Sequence, residues 1–336
     1  MKFRHRNAFL ILFSFLLGAA IFIWLGKVIG WAEIGKAFER FTLWQGVIIV
    51  ALTFLIALVG NWRWQQILND AGENISFWRL FRIYLGGYAI MYLFPVILLA
   101  GEIFRVYGAA QDEKVKTAKS AASVIIERIL EWTVNLLVIF LGLFLFAFKL
   151  NILPQNILIV FGIALLLFIF ALSFFYFKAL RQKSIVKSIV QKFSRKEITE
   201  DNALFETENT VFKFFQPKNR SLQKGLLLSL LRAGVMLLRT WILVLFLSGI
   251  DIGLIKSLSI LGFTYLSSMI PIPASLGSHE VIQTVAFISI NIPEAMATAF
   301  TMIIRASEII LSSVGLFFIV KKGFNVLTEK FNIKKI

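Results

Sequence analysis

The sequence predicts an all-α polytopic membrane protein, with about six full transmembrane helices and two re-entrant hairpins broken by proline and glycine, arranged as an inverted repeat. Three observations predict it. The 336-residue chain is 58% hydrophobic, with a mean hydropathy of +0.81. Several of its apolar runs exceed the ~18 residues needed to cross a ~30 Å hydrocarbon core. Finally, "FPVILLAGEIFR" (94–105) and "IPIPASLGSHEV" (270–281) each join proline, glycine and glutamate to an apolar run.

Taken in order, the first run, "AFLILFSFLLGAAIFIWLG" (8–26), follows Lys2, Arg4 and Arg6. Bulky Trp24 and Leu25 occupy the place of a small-residue cleavage site, so it is expected to be a retained helix. Run 43–60 returns. Run 80–100 then has cytoplasm expected on both flanks: "NWRWQQILNDAGENISFWR" (61–79) before it, and Arg105, Lys114, Lys116 and Lys119 after it. It is expected to enter and return, turning between Gly86 and Pro95. Runs 121–148 and 157–177 cross out and back.

Segment 178–224 carries 11 Lys/Arg against 5 Asp/Glu, which makes it cytoplasmic by the positive-inside rule. Run 225–248 exits. The stretch 257–292 is expected to be a second hairpin, entered from outside, because its part 280–292 is too short to span at ~1.5 Å per residue. Run 294–320 crosses inward, so both termini are expected in the cytoplasm of a cell that carries the chain in its cytoplasmic (inner) membrane. Trp31, Ile34, Phe38 and Phe41, like Ile185, Ile189 and Phe193, share a helical face, which predicts interfacial helices at 31–41 and 184–193.

The two Pro/Gly stretches read as copies. Gly87, Pro95, Gly101 and Glu102 match Gly262, Pro271 with Pro273, Gly277 and Glu280, and each glutamate precedes an arginine by 25–26 residues, at Arg128 and Arg305. Arg128 and Glu131, like Arg305 and Glu308, are three apart on one helical face. The inverted halves are expected at about 43–148 and 225–320. Matching broken segments in inverted halves are the sequence pointer to a transporter's central site. Broken helices at that depth must be buried in protein or line a cavity.

Charge and composition exclude other classes. The formal charge of +16 follows the cytoplasmic segments, so anionic lipid rather than nucleic acid is the expected partner. The chain has no cysteine and two lone histidines, His5 and His279, so neither a metal nor another cofactor is expected. It offers no nucleophile constellation and no phosphate-binding glycine motif, so transport is expected rather than catalysis. Phe212, Phe214 and Phe215 are offered as a surface for a protein partner.

"GEIFRVY" (101–107), "ERILEW" (127–132), "PIPASLGSHE" (271–280) and "RASE" (305–308), with "RWQQIL" (63–68), resemble the signature blocks of the lysylphosphatidylglycerol synthase transmembrane family. The resemblance spans nearly the whole chain. It implies a flippase-like inner-membrane domain that moves a charged lipid between leaflets. The family's usual proline-glycine-glycine is absent: Ala274 and Ser275 follow Pro273. The aminoacyl-transferring soluble domain is also not expected here.

The residues expected to form the headgroup site are intramembrane charges, which are functional candidates by default. Arg305 is the foremost, since a guanidinium grips phosphate with a bidentate fork. Its structural alternative is an ion pair with Glu308 or Glu280. Glu280 could equally cap a half-helix. Arg128 with Glu127 reads as lining or as a snorkelling pair, Glu102 with Arg105 as lining or as a hairpin-closing bridge, and Arg239 as further basic lining. Arg63, between Trp62 and Trp64, reads as a membrane-edge anchor. The expected function is translocation of an anionic lipid or polyprenyl-phosphate headgroup. The alternatives are a small-anion transporter or channel, an intramembrane lipid-modifying enzyme, and a membrane partner of a glycosyltransferase. A homo-oligomer is compatible with all of them.

Overall fold

The computed structural model describes residues 23, 31–39, 41–93, 99–150, 155–182, 184, 203–268 and 277–333. Expectations for 8–26, for the interfacial helix 184–193 and for Pro95, Pro271 and Pro273 fall wholly or almost wholly outside them. Every regular element described is an α-helix: Trp31–Glu39 (α1), Leu43–Asp70 (α2), Phe77–Leu93 (α3), Ala100–Asp112 (α4), Thr117–Leu150 (α5), Gln155–Leu180 (α6), Ala203–Phe214 (α7), Arg220–Ser248 (α8), Gly253–Ser268 (α9), Ser278–Ser289 (α10) and Glu294–Ile333 (α11). Four of these, α2, α5, α8 and α11, contain stretches long and apolar enough to cross a membrane, and Ile169–Leu180 of α6 is a shorter apolar helix.

Local chemistry sets the helix ends. Thr42 Oγ1 accepts from the Gln45 N–H while Gln45 Oε1 accepts from the Thr42 N–H, a reciprocal cap that starts α2. Asn219 caps α8 through the Ser221 N–H, and Gly249, at φ +66°, ends it in the left-handed conformation that glycine tolerates. In the α8–α9 turn, Asp251 accepts from Trp241 Nε1 and from the Gly253 N–H, which holds its carboxyl below the usual carboxylate range.

Helices α3 and α4 form an antiparallel pair, with Ile83 against Gly108 and Gly87 against Gly101. This pair departs from the expected hairpin at 80–100. Helix α3 stays regular to Leu93, and the return arm is Ala100–Asp112, so Glu102 and Arg105 lie on that arm and not beyond it. Gly87 is not a break: it lies within α3, and a Cβ on it would come 2.8 Å from the carbonyl oxygen of Gly101 in the first turn of α4, so these glycines set how closely the arms approach. Gly277 stands at φ +85° immediately before α10.

Helices α2 and α8 pack antiparallel across the centre: Thr53 meets Arg239, and Arg63 meets Ser229. At one end Ile49 gathers Leu243, Phe263, Phe287, Phe300 and Ile304 into an apolar cluster. At the other, Trp64, Leu68, Leu80, Leu85 and Leu311 form a second. On α11 the charged pair Arg305 and Glu308 falls between Ile304 of the first cluster and Leu311 of the second. That pair therefore lies between two apolar regions.

Glycines also let helices of different sets touch. Gly142 of α5 faces Gly262 of α9, and Gly315 of α11 faces Leu85 and Ala89 of α3. The aromatic surface expected on α7 is not available to a partner. Phe212, Phe214 and Phe215 are buried against Ile126, Leu130 and Ala179, because α7 folds its apolar face onto α5 and α6.

Candidate functional site

Six arginines and five glutamates, in two sets, build a charged layer inside the bundle. Glu102 is the third residue of α4, and Glu280 the third of α10. Arg128 and Arg305 are the twelfth residues of α5 and α11, and Glu131 and Glu308 the fifteenth. A helix of 3.6 residues per turn puts each arginine and the glutamate after it on one face.

In the first set, Arg128 Nε lies 2.8 Å from Glu102 Oε1, and Arg128 Nη1 lies 3.0 Å from Glu131 Oε2. Arg63 donates through Nη1 to Ser229 Oγ (3.0 Å) and through Nη2 to Glu127 Oε1 (2.9 Å), and it stands 3.4 Å from Glu131. Arg105 Nη2 is 2.5 Å from the other Glu127 oxygen. Its guanidinium also lies over the Trp64 ring at 4.1 Å and near the Tyr84 ring at 4.9 Å. Arg232, from α8, reaches Glu131 at 2.7 Å.

The second set repeats the arrangement. Arg305 Nη2 lies 2.6 Å from Glu280 Oε1, whose other oxygen accepts from the Gly277 N–H at 2.8 Å. Both sequence alternatives for Glu280 therefore hold at once: it caps a helix, and it is an arginine partner. Arg239 donates through Nη1 to Thr53 Oγ1 (3.0 Å), and its Nη2 stands 3.6 Å from Glu308. Thr53 in turn donates to Ser307 at 3.0 Å.

The correspondence covers the elements as well as the charges. Helices α2 to α5 begin at 43, 77, 100 and 117, and α8 to α11 at 220, 253, 278 and 294, so each follows its counterpart by 176–178 residues. At that interval Arg63 corresponds to Arg239, Thr53 to Ser229, and the Glu102–Arg128 pair to Glu280–Arg305. Each first-helix arginine bonds the hydroxyl on the other set's first helix.

The sets differ in density. Glu127 has Ile304 at the equivalent position, and Arg105 has Gln283, whose Nε2 donates to Thr264 Oγ1 at 2.7 Å. The first set, counting Arg232, holds four arginines and three glutamates; the second holds two of each.

The eight charged residues expected at the site divide between the two sets: Glu102, Arg105, Glu127 and Arg128 in the first, Arg239, Glu280, Arg305 and Glu308 in the second. Sequence reasoning missed Arg63, which is 1% exposed and no membrane-edge anchor, because it read the residue together with Trp62 and Trp64 as one belt. Trp62 is exposed, but Trp64 is buried, with its Nε1 donating to Ser123. Arg232 and Glu131 were also left out of the expected site. The signal that could have found Arg63 is its distance to Arg239, the same interval that separates the glutamates and arginines already matched. Arg128 is no snorkelling group either, since Glu102 and Glu131 hold it inward.

This chain matches the model of the lysylphosphatidylglycerol synthase TM region over residues 11–315. It is similar to the UPF0104 membrane protein MJ1595 of Methanocaldococcus jannaschii, at 24% identity over 91% of this chain and 90% of that protein. It is also similar to the UPF0104 membrane protein PH1989 of Pyrococcus horikoshii, at 24% identity over 77% of this chain and 81% of that one. No solved structure matches it. Four stretches among the described residues that are long and apolar enough to cross a membrane, a buried arginine–glutamate layer and a family match across most of its length make this a multi-pass membrane protein, and the chain belongs to the lysylphosphatidylglycerol synthase TM region family.

Proposed function

We propose that the protein translocates an anionic lipid, passing its headgroup through the charged layer while the tails stay in hydrocarbon. In this reading α2–α5 and α8–α11 are inverted halves, since the counterpart helices α2 and α8 run antiparallel. The pairs α3–α4 and α9–α10 are hairpins entering from opposite leaflets of a cytoplasmic membrane, with both termini inside. The halves rock about the layer to expose it to each side in turn.

The observation that carries the reading is the layer itself. Charges inside a membrane bundle are costly to bury, and replacing paired ions with apolar groups is often neutral or stabilising. Their presence points to a polar ligand. Among the described residues the layer holds one arginine more than its glutamates can match. That surplus favours an anion, and a phosphate diester suits the forked guanidinium donors. The basic cytoplasmic segments would raise the local concentration of anionic lipid. Movement without bond-making needs no nucleophile, which fits the side chains present.

The test uses vesicles containing the protein and fluorescently labelled phosphatidylglycerol, with a membrane-impermeant quencher reporting the outer leaflet. Label is expected to exchange between leaflets with the wild-type protein. Arg305→Ala should slow it about ten- to a hundredfold, the scale of a lost charge-assisted contact of ~1.5–3 kcal/mol. Arg305→Gln with Glu280→Gln, which leaves the net charge of the interior unchanged, should be equally slow if the role is binding. Wild-type rates in either variant would remove the reading. Trapped inorganic phosphate should not escape from the same vesicles; its escape would favour a small-anion pathway.

A further inference from the structure

The two sets treat their matched carboxylates differently. Glu131 is held by Arg128 at 3.0 Å, Arg232 at 2.7 Å and Arg63 at 3.4 Å. Its counterpart Glu308 stands 3.6 Å from Arg239, beyond good hydrogen-bond length. Its side chain is 22% exposed, against 13% for Glu131 and 0% for Glu280. It is thus the least closely paired carboxylate of the five and the most accessible.

Two further polar atoms on the elements packed around it point to a ligand. The Tyr92 hydroxyl and His279 Nε2 are both buried, and neither has a hydrogen-bond partner among the described residues. Tyr92 belongs to α3, which packs on α11 through Leu85, Ala89 and Gly315, and His279 precedes Glu280, the partner of Arg305. A phosphate placed between Arg305 and Arg239 would compete with the Glu308 carboxylate for Arg239.

Resting on the translocation reading, we infer that Glu308 couples transport to protons: it takes up a proton as a phosphate-bearing headgroup displaces it from Arg239, and returns that proton when the headgroup leaves. The step balances. Water on the open side supplies the proton, the carboxylate becomes a neutral acid, and the phosphate monoanion takes its place on the guanidinium. The second set, with two arginines and two glutamates, stays neutral throughout, whereas an anion arriving alone would leave it with an uncompensated buried charge. Arg239 approaches Glu308 to 3.6 Å; the elements packed around it also carry Arg232 on α8, Tyr88 and Tyr92 on α3, and Arg305 one turn earlier on α11. From α10, Glu280 is committed to Arg305 and to the Gly277 N–H, and His279 faces the same arginines, so His279 is the competing proton acceptor.

The experiment binds short-chain phosphatidylglycerol to the purified full chain in weakly buffered solution with a pH-indicator dye. The wild type should take up about one proton per lipid bound, the linkage expected of a single site. Glu308→Gln should bind the lipid without uptake, while Glu308→Asp and His279→Gln should keep it. Lipid binding without uptake in the wild type overturns the coupling and leaves the translocation reading intact. Uptake that survives in Glu308→Gln, or is lost in His279→Gln, overturns the assignment to Glu308. Failure of the wild type to bind the lipid at all overturns both.

Discussion

At the scale of single residues, two hydroxyls have the same task. Ser229 and Thr53 each accept from an arginine of the opposing helix, Arg63 and Arg239, both of which are nearly inaccessible. Removing such an acceptor leaves a buried charged donor short of one partner, which costs ~1–3 kcal/mol. Ser229→Ala and Thr53→Val should therefore both lower the unfolding midpoint in detergent, by similar amounts. A silent result at either position would show that its arginine is satisfied elsewhere. The same residues explain what the sequence made legible. Glutamates and arginines stand out against an apolar background, so Glu102, Glu280, Arg128 and Arg305 were readable from spacing. Serine and threonine do not stand out in membrane helices, and Arg63 was hidden by its tryptophan neighbours. Its burial depends on Ser229 and Glu127, which lie far away in the chain.

At the scale of elements, glycine shapes the packing more than it interrupts helices. Grouped with Pro95, Gly87 reads in the sequence as the end of a half-helix, yet it lies inside α3, where glycine costs ~0.5–1 kcal/mol. What offsets that cost is contact between the α3 and α4 backbones, and no local signal reports it. The helix lengths, by contrast, were legible, because a run must be long enough to hide its backbone from hydrocarbon. Gly315 offers the sharper test. A Cβ there would collide with the Leu85 carbonyl and come 3.0 Å from Ala89 Cβ, so a side chain must push α11 away from α3. Gly315→Val should destabilise by ~1–3 kcal/mol, as overpacking does. Gly234 of α8 has nothing within 4 Å of its would-be Cβ, so Gly234→Ala should stabilise by ~0.5–1 kcal/mol. Opposite shifts in the unfolding midpoint would confirm the distinction; two losses would mean that α8 also needs its glycine.

Across the whole molecule, the two sets share a plan but not a strength. The first carries the additional Arg105, Glu127 and Arg232, and its carboxylates are each gripped by one to three guanidiniums. The second keeps only the elements common to both. In two inverted halves around one site, such an imbalance lets one half act as a fixed frame while the other exchanges partners. Breaking a buried ion pair strands a charge, at about 3–5 kcal/mol. Arg63→Met removes a guanidinium that serves Glu127, itself 1% exposed, and should approach the lower end of that range. Arg239→Met frees Glu308, which is already loosely held and partly exposed, and Thr53, which keeps Ser307 as a partner, and should cost less, about 1 kcal/mol. Leaflet exchange should show the reverse order. The Arg239 variant should fold and lose transfer, while the folded fraction of the Arg63 variant retains most of it. Measuring unfolding midpoints and labelled-lipid exchange on the same two preparations decides the matter. If both variants lose stability equally and transfer equally, the layer is one undivided structural network, and the density of the first set has no mechanical meaning.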